Sequence, residues 1–373
     1  MKHKLLFILI FIFINSRLAI TQTDKVDDYI KAEMQKRRIP GLTLAVVQNG
    51  KIVKQTAYGL ANVELNVPTT IDTVYQIAST TKTFTATAIM TLVEEGKLSL
   101  DDKLIKILPE LPANWGEVTV RHCLTHTSGL PNLYLDECSA EPIAETRAEA
   151  LTKLATSPIL SKPGEQWNYN DTGYLLLGMI IEKLSGMTFE EFLQQRFFLP
   201  LGMTTTRFGD YKEIFAGRAS LYTKLELCRG QNIKISRTKI YSAQPSYLYK
   251  SYTHAGAGIN TTVGDLVKWN LALDEAKIVK AATLDQMWTV VKLNDGKAFR
   301  FEGTIGYANG WEVDDQPGHK SAGHSGGVST GYRRYVDDRL TVIILTNLQG
   351  ADPDSLIKGV ATLYIPELAQ QAK

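Results

Sequence analysis

Cysteine is scarce: Cys123, Cys138 and Cys228 are the only three in 373 residues. An odd number without metal-ligand spacing argues against a disulfide framework and against a zinc site, and leaves room for one disulfide at most. Cys123 lies inside an apolar helical pattern and reads as a small core residue. Charge of one sign is missing too, with 41 basic against 39 acidic residues, a formal net charge of +2 and no long basic block. Nucleic acid is therefore a poor partner. No apolar run reaches the roughly 20 residues needed to cross a bilayer, and the sequence contains neither internal repeats nor a low-complexity tract.

What is present is a chain with 44% hydrophobic and 21% charged residues, long enough to bury one large core or two smaller lobes. It begins Met1, Lys2, His3, Lys4, followed by an apolar run from Leu5 to Ile14 and then Asn15, Ser16 and Arg17. That order is the basic n-region and apolar h-region of an export signal. The expectation is a signal over residues 1–21, a mature single domain over 22–373, a secreted or periplasmic location, and no stable membrane insertion after cleavage.

The spacing of Val26, Tyr29, Ile30 and Met34 predicts a helix over 25–38 that stops at Pro40-Gly41. Two β-rich runs, 41–48 and 52–58, flank Asn49-Gly50, a strong hairpin signal. A long helix follows over 80–95, and helical periodicity dominates 118–125 and 173–198. Strand patterns return at 310–313, 331–336 and 340–346, the last two joined by Asp337-Asp338. A final helix runs over 355–364. The irregular stretch 211–252, rich in Tyr and basic residues, reads as a surface loop, with one wall of a cleft as the other option. This order implies an α/β (α+β) fold whose antiparallel sheet is built from both chain ends, flanked by helices, with an inserted mainly helical lobe.

Three segments carry chemistry. Ser79 precedes Lys82 by three residues at the start of the long helix, which puts both side chains on one face. A serine hydroxyl needs a base to become a nucleophile, and a partly desolvated lysine can serve. Taken alone, the pair also reads as a helix cap and a surface charge. Trp167-Asn168-Tyr169-Asn170-Asp171 follows Pro163-Gly164 and enters another apolar helix. A phenol ionises near pH 10, and adjacent cations stabilise its phenolate, which makes Tyr169 a general-base candidate. Tyr169 alone also reads as a core tyrosine with a satisfied hydroxyl. His324-Ser325-Gly326-Gly327 is a glycine-rich strand end whose backbone N–H groups can face a carbonyl oxygen.

Together these segments resemble the serine β-lactamase and penicillin-binding-protein superfamily. The nearest likeness is to class C β-lactamases, D-alanyl-D-alanine carboxypeptidases and related esterases. It extends over about 26–365 and takes in VTVRHCLTHTSGL (118–130), Pro163-Gly164 and GAGINTTVGDL (256–266). The resemblance implies acyl transfer through a covalent ester on Ser79. Lys82 and Tyr169 would handle the proton, and the N–H groups of Ser79 and Gly327 would form the oxyanion hole. Asp171, His324, Ser325 and Gly326 would meet the substrate, a small molecule or peptide, without a metal or organic cofactor.

Two departures bear on the substrate. His324 stands where the family commonly has lysine, and an imidazole attracts a substrate carboxylate less firmly than an ammonium does. Asp171 stands where an amide is common; it lacks the amide's donor and, paired with Lys82, would favour the ammonium form. An esterase or D-amino-acid peptidase or carboxypeptidase is thus expected ahead of a potent β-lactamase. The alternative is a catalytically silent protein of the same fold that binds cell-wall peptides or a partner. His122 and His126, four residues apart without an acidic partner, read as structural. Arg333 and Arg334 read as a solvated strand face, with a forked contact to a substrate carboxylate as the other option.

Overall fold

Asn49 and Gly50 both take positive φ (51° and 72°), the conformation of a tight hairpin turn. They join β1 (Gly41–Gln48) to β2 (Lys51–Asn62), and from this hairpin the main sheet grows. The structure, a computed structural model, describes residues 24–133, 144–209, 213–229, 232–235, 239–242, 250–327 and 329–369. The expected export signal and Cys138 lie outside the described residues, as does the side chain of Cys228.

The remaining sheet strands are β3 (Val67–Pro68), β4 (Arg300–Glu302), β5 (Ile305–Tyr307), β6 (Glu312–Asp314), β7 (Ser321–Gly326), β8 (Thr330–Tyr335) and β9 (Leu340–Thr346). They pair in the order β4-β5-β6-β7-β8-β9-β1-β2-β3, every neighbour antiparallel. The first strand thus sits between the last and the second, with Leu42 opposite Thr346 and Tyr58. Both chain ends build one sheet, and the fold is the expected α+β type.

β1 is buried along seven of its eight residues because both faces are covered. Leu42, Leu44 and Val46 point into one core with Val342, Ile344, Leu356, Ile357 and Ile30. The covering helices there are α1 (Lys25–Arg37) and, at the other end of the chain, α5 (Pro353–Tyr364). Ala45 and Val47 point the opposite way, into the larger core of the inserted helical lobe.

That lobe is organised on α2 (Thr81–Glu94), in which all residues from Thr81 to Leu92 are buried. Its threonines would be poor interior residues, but Thr83, Thr87 and Thr91 donate back to carbonyls three or four residues earlier at 2.7–2.9 Å. Each hydroxyl is thereby satisfied without leaving the helix. Phe84 stacks on Trp269 of α4 (Val263–Asp274) at 4.0 Å. α3 (Asp171–Ser185) ends at Gly186, whose φ of 72° closes the helix. The single helical span expected over 173–198 is therefore broken, and a second short helix starts at Phe189. The expected loop over 211–252 also contains strands, among them an antiparallel pair of Leu225–Arg229 with Asn232–Ile235.

Candidate active site

Ser79 occupies a short 3₁₀ turn, Ala78–Thr80, that runs directly into α2. Ala78 is held at φ 42°, a left-handed conformation costly for a residue with a Cβ. The turn is held from the sheet side: Thr330 Oγ1 donates to the Ile77 carbonyl and Thr80 Oγ1 to the His324 carbonyl, both at 3.3 Å. Gly326 lies flush against it, since a Cβ there would come within 2.0 Å of the Ile77 oxygen. Only glycine permits that approach. Gly327, at φ 54°, faces Ala78.

Lys82, one turn on, is fully buried. Its Nζ donates to Ser79 Oγ (3.3 Å), Asp171 Oδ1 (2.8 Å) and the Gly256 carbonyl (3.0 Å). Three acceptors match the three protons of an ammonium. Asp171 is set by α3: Asn170 caps that helix by accepting from the Gly173 N–H and donating to the Leu130 carbonyl, while the Asp171 N–H donates to Asn132. Tyr169, immediately before the cap, remains 37% exposed, open to a substrate. Lys82 Nζ stands 4.7 Å from the centroid of its ring. The first two sequence segments thus meet at Lys82, while the third meets the Ser79 turn, through the His324 carbonyl on Thr80 and Gly326 against Ile77.

The other expected site residues are placed differently. His324 is buried, with Nδ1 against the Ser325 carbonyl and Nε2 against Tyr307. Burial and the Lys82 charge push its pKa down to about 3, so the ring is neutral at physiological pH. The Ser325 hydroxyl points across the sheet to Glu312 at 3.4 Å. Arg333 and Arg334 do not form a solvated face. Arg333 pairs with Glu312 (2.9 Å) and Asp354 (3.6 Å), while Arg334 is buried, pairs with Asp274 and stacks over Trp288. Their carboxylate partners come from other elements, a proximity no local pattern reveals.

His122 accepts the Thr119 N–H at the start of the helix Val120–Leu124. His126 is buried against the Tyr169 ring at 4.3 Å. Cys123 is a free thiol in the core, and burial pushes its ionisation up. No group of three or more His, Cys, Asp or Glu is placed to hold a metal ion among the described residues. Sequence reasoning missed three contributors: the Gly256 carbonyl, Asn132 and Tyr307. Gly256 lies in a stretch that resembled the family without an assigned task, and Tyr307 sits in Gly306-Tyr307-Ala308-Asn309, just before the strand pattern at 310–313.

A cavity of about 360 Å³ opens beside the turn, bounded by Ala78, Gly327, Phe215, Arg218, Ser220 and Leu221. The neighbours of Ser79 therefore border space that a small molecule can fill.

Known proteins are similar to this chain in sequence and fold. Penicillin-binding protein 4* of Bacillus subtilis is 31% identical over 328 residues, 84% of this chain and 69% of that protein. Protein flp of Staphylococcus aureus is 32% identical over 196 residues, 52% of this chain but only 39% of flp. An octameric penicillin-binding protein homologue from Pyrococcus abyssi superposes with a TM-score of 0.74 at 30% identity, covering 92% of this chain and 77% of its own. A D-amino acid amidase from Ochrobactrum anthropi, at 24% identity, shares the fold with a TM-score of 0.73 over 94% of this chain and all of its own. The β-lactamase family model matches residues 26–363. A family model over most of its length and a relative 31% identical across more than two thirds of that relative's length show that this chain belongs to the β-lactamase family.

Proposed function

We propose that the chain is an exported serine hydrolase that works through an acyl-enzyme on Ser79. The observation that carries this reading is Lys82 Nζ, buried and shared among Ser79 Oγ, Asp171 and the Gly256 carbonyl, with the Tyr169 ring alongside. Because the ammonium has already given all three protons to acceptors, the Ser79 proton passes to Tyr169 as phenolate, and Lys82 stabilises that negative charge. Ser79 Oγ then bonds to the substrate carbonyl carbon. The N–H groups of Ser79 and Gly327 hold the oxyanion, where one donor is worth about 10²- to 10³-fold in rate. Tyr169 returns its proton to the leaving group as the carbonyl re-forms, and water hydrolyses the ester.

An ester, or an amide of a D-amino-acid peptide, suits this cleft better than a β-lactam. The third motif offers a buried neutral imidazole where an ammonium would draw a substrate carboxylate. Relatives named as penicillin-binding proteins support an acyl-donor substrate. The Lys2, His3 and Lys4 start followed by Leu5–Ile14 supports export with residues 1–21 removed and 22–373 folding as one domain. Among the described residues, no helix is long and apolar enough to cross a membrane.

Intact-mass spectrometry after exposure to a fluorophosphonate and, separately, a fluorescent penicillin tests the reading. One adduct per chain is expected with the fluorophosphonate, absent in Ser79→Ala. Slow turnover of a penicillin adduct would mark a penicillin-binding enzyme. No adduct with either reagent would leave a silent binding protein.

A further inference from the structure

A chain of hydrogen bonds runs beneath the Tyr169 loop to the third motif, and its two ends fix its direction. At one end the Asn170 backbone N–H, which can only donate, meets His126 Nδ1 at 3.0 Å. At the other, His324 Nδ1 lies 2.7 Å from the Ser325 carbonyl oxygen, which can only accept. Between them Tyr307 Oη is 3.1 Å from His126 Nε2 and 3.1 Å from His324 Nε2. A neutral imidazole that accepts at Nδ1 carries its proton on Nε2, so His126 donates to Tyr307. Tyr307 has one proton to pass on; Tyr174, whose own hydroxyl donates to the Leu124 carbonyl, is also within its reach, but the His324 Nε2 lone pair has no other donor in the chain of bonds, so the proton goes to His324. His324 in turn carries its proton on Nδ1 and donates to Ser325. Four bonds in series thus have one consistent proton assignment, with the two rings neutral and in opposite tautomers. A second proton on His126 would set two donors face to face at Asn170. One on His324 would leave the Tyr307 proton without an acceptor in the chain.

We propose that Tyr307 is a positioning residue: accepting from His126 and donating to His324, it ties the loop that carries Tyr169 to the strand that ends in Gly326 and Gly327. The distance between the proton-handling phenol and the oxyanion donors is thereby set by one buried hydroxyl. The proposal rests on the acyl-transfer reading of Tyr169 and Gly327, while the hydrogen-bond chain itself does not.

Its surroundings keep the rings neutral. His126, Tyr307 and His324 are all buried. Lys82 of α2 faces the cluster, with Trp167 and Tyr169 on the loop and Tyr174 on α3. Glu312 of β6 stands 3.8 Å from His324 Nδ1, and Arg333 of β8 and Asp354 of α5 lie beyond it. Burial first, then Lys82, lowers the pKa of both histidines, with Asp354 opposing at His324.

Long-range ¹⁵N–¹H correlation spectra of the labelled wild-type protein test the chain without any activity. With the resonances assigned, His126 protonated on Nε2 and His324 on Nδ1 are expected, both unchanged from pH 7.5 to 5. Titration of either ring near its ordinary value, or the same tautomer in both, overturns the assignment. Tyr307→Phe removes the two central bonds. The Nδ1-protonated pattern is expected to collapse, and kcat for an activated ester to fall roughly 10- to 100-fold with KM little changed, as for a displacement of about 1 Å between catalytic groups. A folded Tyr307→Phe with kcat within about twofold of wild type overturns the positioning role. If that variant does not fold, the wild-type spectra still decide. If wild type forms no serine adduct, the acyl-transfer reading fails while the spectra judge the chain separately.

Discussion

Gly326→Ala is the sharpest perturbation of the contact between the third motif and the nucleophile turn. The added methyl would lie 2.0 Å from the Ile77 oxygen, 2.9 Å from the Ile77 carbon and 2.7 Å from Thr330 Oγ1. Two of these are backbone atoms that no rotamer change can move, so strand and turn must separate by more than 1 Å to restore ordinary contact. The turn is also pinned through Thr330 and Thr80, and those bonds stretch with it. Overpacking of this kind costs about 1–3 kcal/mol in stability. The rate should suffer more, because the Gly327 N–H retreats from the carbonyl that Ser79 attacks, and one misplaced oxyanion donor costs about 10²- to 10³-fold. Stopped-flow acylation by a chromogenic ester, read beside a thermal melt, separates the two effects. Acylation within about threefold of wild type in a folded Gly326→Ala protein would refute the placement of Gly327 as a donor.

Tyr169→Phe should lower acylation about 10²- to 10⁴-fold, the range for loss of a general base, with an unchanged melt because the ring packing on His126 is kept; a normal rate would remove Tyr169 from its role. Acid should loosen the fold before it touches surface pairs. His324, with a folded pKa near 3, and His126, also held low by burial, refuse protons that the unfolded chain takes up below its value of about 6.5. Stability is thus full above that value and falls as pH drops. By pH 5 the His324 ring costs about 2 kcal/mol and His126 adds in the same direction, tempered by Glu312 and Asp354, whose carboxyls are raised by burial and gain protons in the folded state. Urea midpoints at pH 7, 6 and 5 should decline in step; a midpoint that holds or rises would contradict neutral buried rings.

Local chemistry was readable wherever one segment decides its own conformation. Asn49-Gly50 needs only its two positive φ angles to make a hairpin, and Ser79 and Lys82 need only one helical turn to share a face. The N-cap role of Asn170 was equally local, yet the more conspicuous Tyr169 and Asp171 drew the reading away from it. Tertiary partners were not readable. Arg333 and Arg334 look like solvent charges until Glu312, Asp354 and Asp274 arrive from β6, α5 and α4. β4 and β5 are three residues each, too short for alternation to show, and Tyr307 was missed with them. Asp171 beside Lys82 was anticipated from charge alone, but the Gly256 carbonyl, a backbone group, leaves no trace in side-chain chemistry.

The pairing of β1 with β9 has a consequence for biosynthesis. Leu42 waits for Thr346, about 300 residues downstream, and at ribosomal speeds of about 5–20 residues per second that is roughly 15–60 s. Throughout that interval the emerging hairpin presents Leu42, Leu44 and Val46 along an open backbone edge, the kind of template that recruits other nascent chains. A ribosome that stalls before Leu340 releases a product with no way to close its own sheet. The vulnerable moment for this protein is therefore late translation, when Ser79, Lys82 and Tyr169 have been made and the strand that shelters β1 has not.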